Sequence, residues 1–299
     1  MGVLALPWGS AFLWIKVALQ HGFSPVQVTV VRCALGAATL LVLALPARQR
    51  LPRGRRMWGR LVVAALFCNA LPFALFSIGE QTVDSGVAGV LNATTPLWSV
   101  LIGLALGTER GLRPVRLTGL ALGFAGTALI FAPWQRAGLA SWGALALLAA
   151  SVSYAVAFAY MGRKLAGHGQ GPIAVSAAQL LTATALSGLA LPVAGGTASG
   201  SVDLTGVAAL VVLGVLGTGV TFYLNYRLIE DEGPTSAATV GYLLPVVSVA
   251  LGALVLGEEL SVRVVAGMAV VLAGVALTRR TKVTPSPLIP AASGRYCRP

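Results

Sequence analysis

The chain has 299 residues, 57% hydrophobic and only 10% charged, with a net charge of +12 and a mean hydropathy of +0.84. A soluble domain carries about a quarter charged residues, so this chain has too little polar material to cover a soluble globule. The basic residues sit in short gaps between apolar runs, where topology signals lie, and that placement argues against a nucleic-acid partner.

In chain order the apolar runs predict ten membrane-spanning helices, at 3–19, 25–46, 58–78, 84–107, 115–133, 140–161, 172–194, 205–226, 234–256 and 261–278. Leu61–Ser77, Gly86–Gly107 and Leu204–Tyr226 carry no charge at all, and each is near the roughly 20 residues that cross a bilayer as a helix. The runs lack the alternation of membrane β-strands, and a helix satisfies its own backbone hydrogen bonds in lipid. The first run has no basic segment before it and many spans after it, unlike a cleaved signal peptide. It begins only a few residues ahead of the first recognisable motif, as a shortened start would leave it. The last stretch, 279–299, is rich in Pro, Ser and basic residues and is expected to be a disordered cytoplasmic tail.

The positive charges orient these spans. With both termini cytoplasmic, the inner gaps receive Arg48, Arg50, Arg53, Arg55, Arg56 and Arg60, then Arg110, Arg113 and Arg116, then Arg163 and Lys164, then Arg227 and the basic tail. The outside receives Lys16, Arg136 and Arg263, and Arg32 falls within a span. The positive-inside rule therefore selects both termini inside, in a multi-pass protein of the plasma membrane.

The chain also repeats itself. AGVLNATTPLWSVLIGLALGTE around Pro96 is answered by AATVGYLLPVVSVALGALVLGEE around Pro245, about 149 positions on. Five spans per unit is an odd number, so the second unit enters the membrane from the opposite side. The expected fold is an all-α membrane protein of ten transmembrane helices in two inverted five-helix repeats, 3–133 and 140–278. Duplicated apolar halves of this kind are the sequence sign of a transporter built from internal repeats.

Several segments carry a family resemblance. WGSAFLWIKVAL (Trp8–Leu19) and SPVQVTVVRCALGA (Ser24–Ala37) resemble the opening of an EamA-type member of the drug/metabolite transporter superfamily. SGVAGVLNATTPLW followed by Arg116, Gly119 and Gly123 resembles the end of that unit. The second half repeats the pattern from Ser153 through Lys164, Pro172, Pro245 and Glu258 to Gly267 and Gly274. The resemblance implies ten helices in two inverted repeats and export of small metabolites, often amino acids or drugs. Arg32 departs from internal symmetry, since Gln179 answers it.

Candidate binding residues follow from polarity inside the spans. Pro96 and Pro245 lie mid-span, and each deprives a carbonyl four residues back, at Asn92 or Gly241, of its donor. Interrupted helices at matching places in two halves point to a transport site. Arg32, about 10 Å into its span at 1.5 Å per residue, is a functional candidate because a charge at that depth is costly. Asn92, Tyr223, Asn225 and Tyr242 add hydroxyls and amides that need partners within the spans. Lys16, Glu80 and Asp84 are candidates for an outer ionic gate, and Lys164 and Glu230 for an inner one; solvated loop charges are the plainer reading of all five. Glu109 and Glu258, each ending a span, read as structural. The glycine series Gly103–Gly107, Gly119–Gly123–Gly126 and Gly214–Gly217–Gly219 read as close helix packing.

Other chemistries are missing. No phosphate-binding loop is present, the two histidines His21 and His168 lie far apart, and the three cysteines have no metal or disulfide spacing, so neither metal nor cofactor is expected. An intramembrane enzyme would need a polar catalytic set at one depth, and none is visible. A non-transporting scaffold is the alternative class, but it has no use for duplicated mid-span prolines or Arg32. The expectation is a secondary transporter, exporting small solutes such as amino acids by alternating access, with the bilayer and a small-molecule substrate as partners. Proton exchange and facilitated diffusion both fit.

Overall fold

The computed structural model describes residues 2–79, 81–83, 85–107, 114–132, 134, 141–166, 171–190, 203–247, 250 and 261–280. Among these the regular structure is entirely helical. Six helical runs are long and apolar enough to cross a membrane, Gly2–Gln20, Pro25–Ala44, Arg55–Gly79, Ala88–Ala105, Trp142–Lys164 and Leu204–Glu232; Pro114–Ile130, Pro172–Gly188 and Val262–Thr278 are shorter apolar helices. Large apolar side chains such as Val42, Leu101, Val211, Leu216 and Leu272 stay exposed on their flanks, as expected where hydrocarbon rather than water is the solvent.

The helices begin where local chemistry satisfies their first amides. The first run is α1 (Gly2–Gly9) and α2 (Ala11–Gln20). The helix α3 (Pro25–Ala44) starts on a capping box: Gln27 N donates to Ser24 Oγ at 3.3 Å, and Ser24 N donates to Gln27 Oε1 at 2.9 Å. Pro25 at its first position loses no bond, since that amide has no helical acceptor. The third run is α4 (Arg55–Ala65), a five-residue π-helical segment at Leu66–Ala70, and α5 (Leu71–Gly79). Next come α6 (Ser85–Asn92) and α7 (Thr95–Ala105), then α8 (Pro114–Phe131). Ser141 caps α9 (Trp142–Lys164) through Ala144 N. The helix α10 (Pro172–Gly188) takes its cap from a distant segment, Ala174 N donating to Gln49 Oε1 at 3.2 Å.

Asp203 caps α11 (Leu204–Gly214), which runs through a second π-helical segment, Val215–Val220, into α12 (Thr221–Glu232). Glu230, whose plainer reading is a solvated loop charge beyond a span ending at 226, therefore belongs to the helix. Gly233, with φ 89°, makes the abrupt link to α13 (Pro234–Thr239), a backbone conformation that costs other residues more than glycine. A 3₁₀ turn, Val240–Tyr242, precedes a helical stretch at 243–247. The last helix is α14 (Val262–Arg280).

Packing interleaves the two halves of the chain. The helix α3 lies along α10 and the second π-helical segment, while α10 lies along α3, α4 and the first π-helical segment. Likewise α2 packs on α11, and α5 on α9. The helix α8 packs on α14 along facing glycines. A β-carbon added at Gly119 would lie 2.7 Å from the Gly274 carbonyl oxygen, and one at Gly274 2.6 Å from the Gly119 carbonyl oxygen. Of the expected seams, Gly119 and Gly126 form one, an added β-carbon at either meeting α14 backbone at 2.7 Å, whereas at Gly107 it meets nothing within 4 Å; backbone-to-backbone approach of this kind is how helices associate in lipid. The tail 281–299 lies outside the described residues.

Candidate functional site

Arg32 is the one charged residue that is buried among the described residues, 4% exposed on α3. Its Nε donates to Thr218 Oγ1 in the second π-helical segment at 3.1 Å. Its guanidinium carbon stands 3.8 Å from the centre of the Phe73 ring, a cation–π contact that strengthens when water is excluded. Phe73 meets Phe222 edge-on at 5.9 Å, joining α5 to α12. Beside them Tyr154 and Phe158 of α9, Trp8 of α1 and Phe76 of α5 form a connected set of rings with centroids 5.9–6.4 Å apart. Arg32 is thus set among aromatic side chains contributed by both halves.

A second buried polar contact joins the halves. Gln179 of α10 donates from Nε2 to Asn69 Oδ1 in the first π-helical segment at 2.8 Å. Both residues are fully buried, and Asn69 Nδ2 and Gln179 Oε1 meet no further partner among the described residues. The Gln179 amide also lies against the Cys68 thiol. Asn69 and Thr218 do not stand out in the apolar runs that hold them. The signal that finds them is the internal repeat, since they occupy matching positions about 149 residues apart.

The expected prolines interrupt helices as predicted, and the structure supplies what they remove. The run from α6 to α7 breaks between Asn92 and Thr95, leaving Pro96 in the first turn of α7. The freed carbonyls find hydroxyls: Thr95 Oγ1 donates to Asn92 O at 2.7 Å, Thr94 Oγ1 to Leu91 O at 2.6 Å, and Ser151 Oγ of α9 also to Leu91 O at 2.8 Å. So the Asn92 carbonyl is engaged rather than open. Pro245 likewise follows the 3₁₀ turn Val240–Tyr242 and opens a new helical stretch. Both prolines are buried.

The remaining candidates do not all converge. Asn92 is 7% and Asn225 2% exposed, and Asn225 Oδ1 has no partner among the described residues. Tyr223 is half-buried and meets Arg227 one turn along α12. Tyr242 is fully buried in a separate apolar cluster with Val100, Leu120 and Val271, and its ring lies over Gly123. It is not among the residues clustered around Arg32. Lys16 and Glu230 are exposed, and the Lys164 main-chain oxygen accepts a bond from Arg60 Nη1 at 3.0 Å. Glu80, Asp84, Glu109 and Glu258 lie outside the described residues.

A cross-half hydrogen bond occurs at a place no candidate marked. His21, after α2, donates from Nδ1 to Asp203 Oδ2 at 2.8 Å. The Gly206 backbone amide, and then His21, hold the Asp203 carboxyl below the usual carboxylate range. No group of three or more metal-binding side chains occurs among the described residues.

Comparison with known proteins agrees with this geometry. A model of the EamA-like transporter family matches residues 1–132 and again 141–280. The inner membrane transporter YedA of Escherichia coli is 27% identical over 259 residues, covering 86% of this chain and 82% of YedA. A transporter of Archaeoglobus fulgidus is 26% identical, covering 94% and 98%. Protein PA1977 of Pseudomonas aeruginosa is 30% identical, covering 90% and 89%. A crystal structure that is 23% identical superposes with a TM-score of 0.77 over 94% of this chain and 96% of that one, which shows a shared fold. Buried polar contacts in a lipid-facing helical bundle and a family match over both halves place this chain in the EamA-like transporter family, as a multi-pass membrane transporter.

Proposed function

We propose that this chain is a secondary transporter of the inner membrane that exports small metabolites by alternating access, through ten transmembrane helices in two inverted five-helix repeats, 3–133 and 140–278, with both termini cytoplasmic. The observation that carries the reading is Arg32, a charge buried among aromatic side chains of both halves at 3.8 Å from the Phe73 ring. A buried ionisable residue in a membrane bundle is a functional site by default. The repeat reading is supported by exchanged packing, in which α3 meets the 215–220 segment and α10 the 66–70 segment. Residues Arg32, Asn69, Thr218 and Gln179 form the centre of the site, with Asn92, Pro96, Asn225 and Pro245 at the interrupted helices around it.

A guanidinium stacked on a ring favours a solute with a carboxylate and an apolar body, the chemistry of an amino acid. Purified protein in liposomes should exchange one or more amino acids or their toxic analogues. Comparing flux with and without a pH gradient separates proton coupling from facilitated diffusion. Arg32→Ala should weaken uptake of carboxylate solutes by about tenfold or more, the loss of one charged hydrogen bond. Unchanged half-saturation for those solutes would remove Arg32 from the site. Absence of counterflow for every solute would favour a scaffold. A reporter at Gly169 read from the outside would break the inverted topology.

A further inference from the structure

The two buried polar contacts between the halves are counterparts. Arg32 and Gln179 each stand seven residues after the proline that opens their helix, Pro25 or Pro172. Asn69 and Thr218 each sit in the π-helical segment of their own run. Each contact crosses between halves: Arg32 reaches Thr218 at 3.1 Å, and Gln179 reaches Asn69 at 2.8 Å.

The π-helical segments themselves are held by side chains. Thr218 Oγ1 donates to Leu213 O and Thr221 Oγ1 to Leu216 O, both five residues back at 2.9 Å. Ser153 Oγ of α9 donates to Phe67 O in the first segment at 2.7 Å. A π turn carries one residue more than the α pattern, and such turns mark functional places in helices. Absorbing that residue would rotate the rest of the helix by about 100°. Thr218 holds its own wide turn and receives Arg32 with the same hydroxyl, so its bulge and its cross-half contact are one unit. The Asn69–Gln179 pair makes one bond while Asn69 Nδ2 and Gln179 Oε1 find no partner among the described residues. A buried amide in that condition gains from any arrangement that offers it a second bond.

We propose that Asn69 and Thr218 are the paired positioning residues of the transport cycle: Arg32–Thr218 holds one mouth of the bundle closed, Gln179–Asn69 holds the opposite mouth, and release of either lets the bulged helix move on that side. The pairing rests on the alternating-access reading. The two contacts are chemically unequal, since only Arg32–Thr218 is charge-assisted and so of the stronger kind. Its mouth is the harder one to open.

Two native thiols report on this without a known substrate. Cys33 follows Arg32, Cys68 precedes Asn69, and both are free and fully buried. With Cys297→Ser in the full chain, a membrane-impermeant maleimide is applied to right-side-out and to inverted vesicles. Thr218→Val should raise labelling of Cys33 about tenfold from one side only. Asn69→Leu should raise labelling of Cys68 by a similar factor from the other side only. Thr218→Ser and Asn69→Thr, which keep an acceptor, should label as the parent does. If Thr218→Val does not fold, Thr218→Ala is read in its place. Labelling of both thiols from the same side, from both sides at once, or not at all in either variant overturns the proposal. Opposite-sided labelling without flux of any solute would sink the transporter reading and leave the contacts standing. Intact flux with unchanged labelling would do the reverse.

Discussion

At the scale of single residues, Arg32 and Tyr242 show two ways of burying a polar group. A charge inside a membrane span is costly, up to about 2.5–3.5 kcal/mol at the helix centre on insertion scales. Arg32 offsets this with a hydrogen bond to Thr218 and the face of Phe73, and desolvated cation–π contacts are worth about 2 kcal/mol. Tyr242 has an apolar cluster around its ring, and its hydroxyl has no partner among the described residues. A buried hydroxyl left without a partner costs about 1–3 kcal/mol. Tyr242→Phe should therefore raise the melting temperature in detergent by a few degrees and leave flux within about twofold of the parent. A large loss of flux with folding intact would return Tyr242 to the binding site.

At the scale of elements, the glycines of α8 and α14 set how closely these helices approach. The 2.6 Å that separates a β-carbon at Gly274 from the Gly119 carbonyl oxygen is far inside contact distance, and the obstacle is backbone that cannot rotate away. At Gly188, the end of α10, a β-carbon meets nothing within 4 Å. Gly274→Val should lower the melting temperature strongly and reduce membrane yield, while Gly188→Ala should be neutral or slightly stabilising. Equal melting of the two variants would show that α8 and α14 separate without cost. This seam was legible beforehand from glycine spacing alone, as were the six long apolar helical runs from their scarcity of charge and the breaks at Pro96 and Pro245 from the missing amide. The π-helical segments were not. Leu66–Ala70 and Val215–Val220 contain no proline, and their wide turns are stabilised by partners such as Ser153 from elsewhere in the chain. A local reading therefore sees ordinary helix there. Only alignment of the chain on itself, which sets Asn69 opposite Thr218, carries a trace of them. The ionic gates were read from charges near span ends; Glu80 and Asp84 of the outer one lie outside the described residues, and the cross-half contact His21–Asp203 was not among the candidates.

At the scale of the whole molecule, the halves are joined at the centre by Arg32–Thr218 and Gln179–Asn69, and at one end by His21–Asp203, which ties the α2–α3 link to the start of α11. The central contacts lie inside the bundle, while the end contact is open to water and so to pH. Asp203 accepts from the Gly206 amide and from His21, which hold its carboxyl below the usual range. A carboxylate whose folded value is depressed stabilises the fold at every pH above its unfolded value, near 3.9, and loses that contribution as pH falls through the folded value. Asp203→Asn keeps an oxygen for the Gly206 amide and removes the charge. The variant should melt below the parent at about pH 5, and the interval should close as pH falls below about 4, where the parent loses the same charge. Melting curves of both proteins across that range measure it directly. An interval unchanged between pH 5 and pH 3 would mean that the Asp203 charge does not link the halves, and that the link at this end is the packing of α2 on α11 alone.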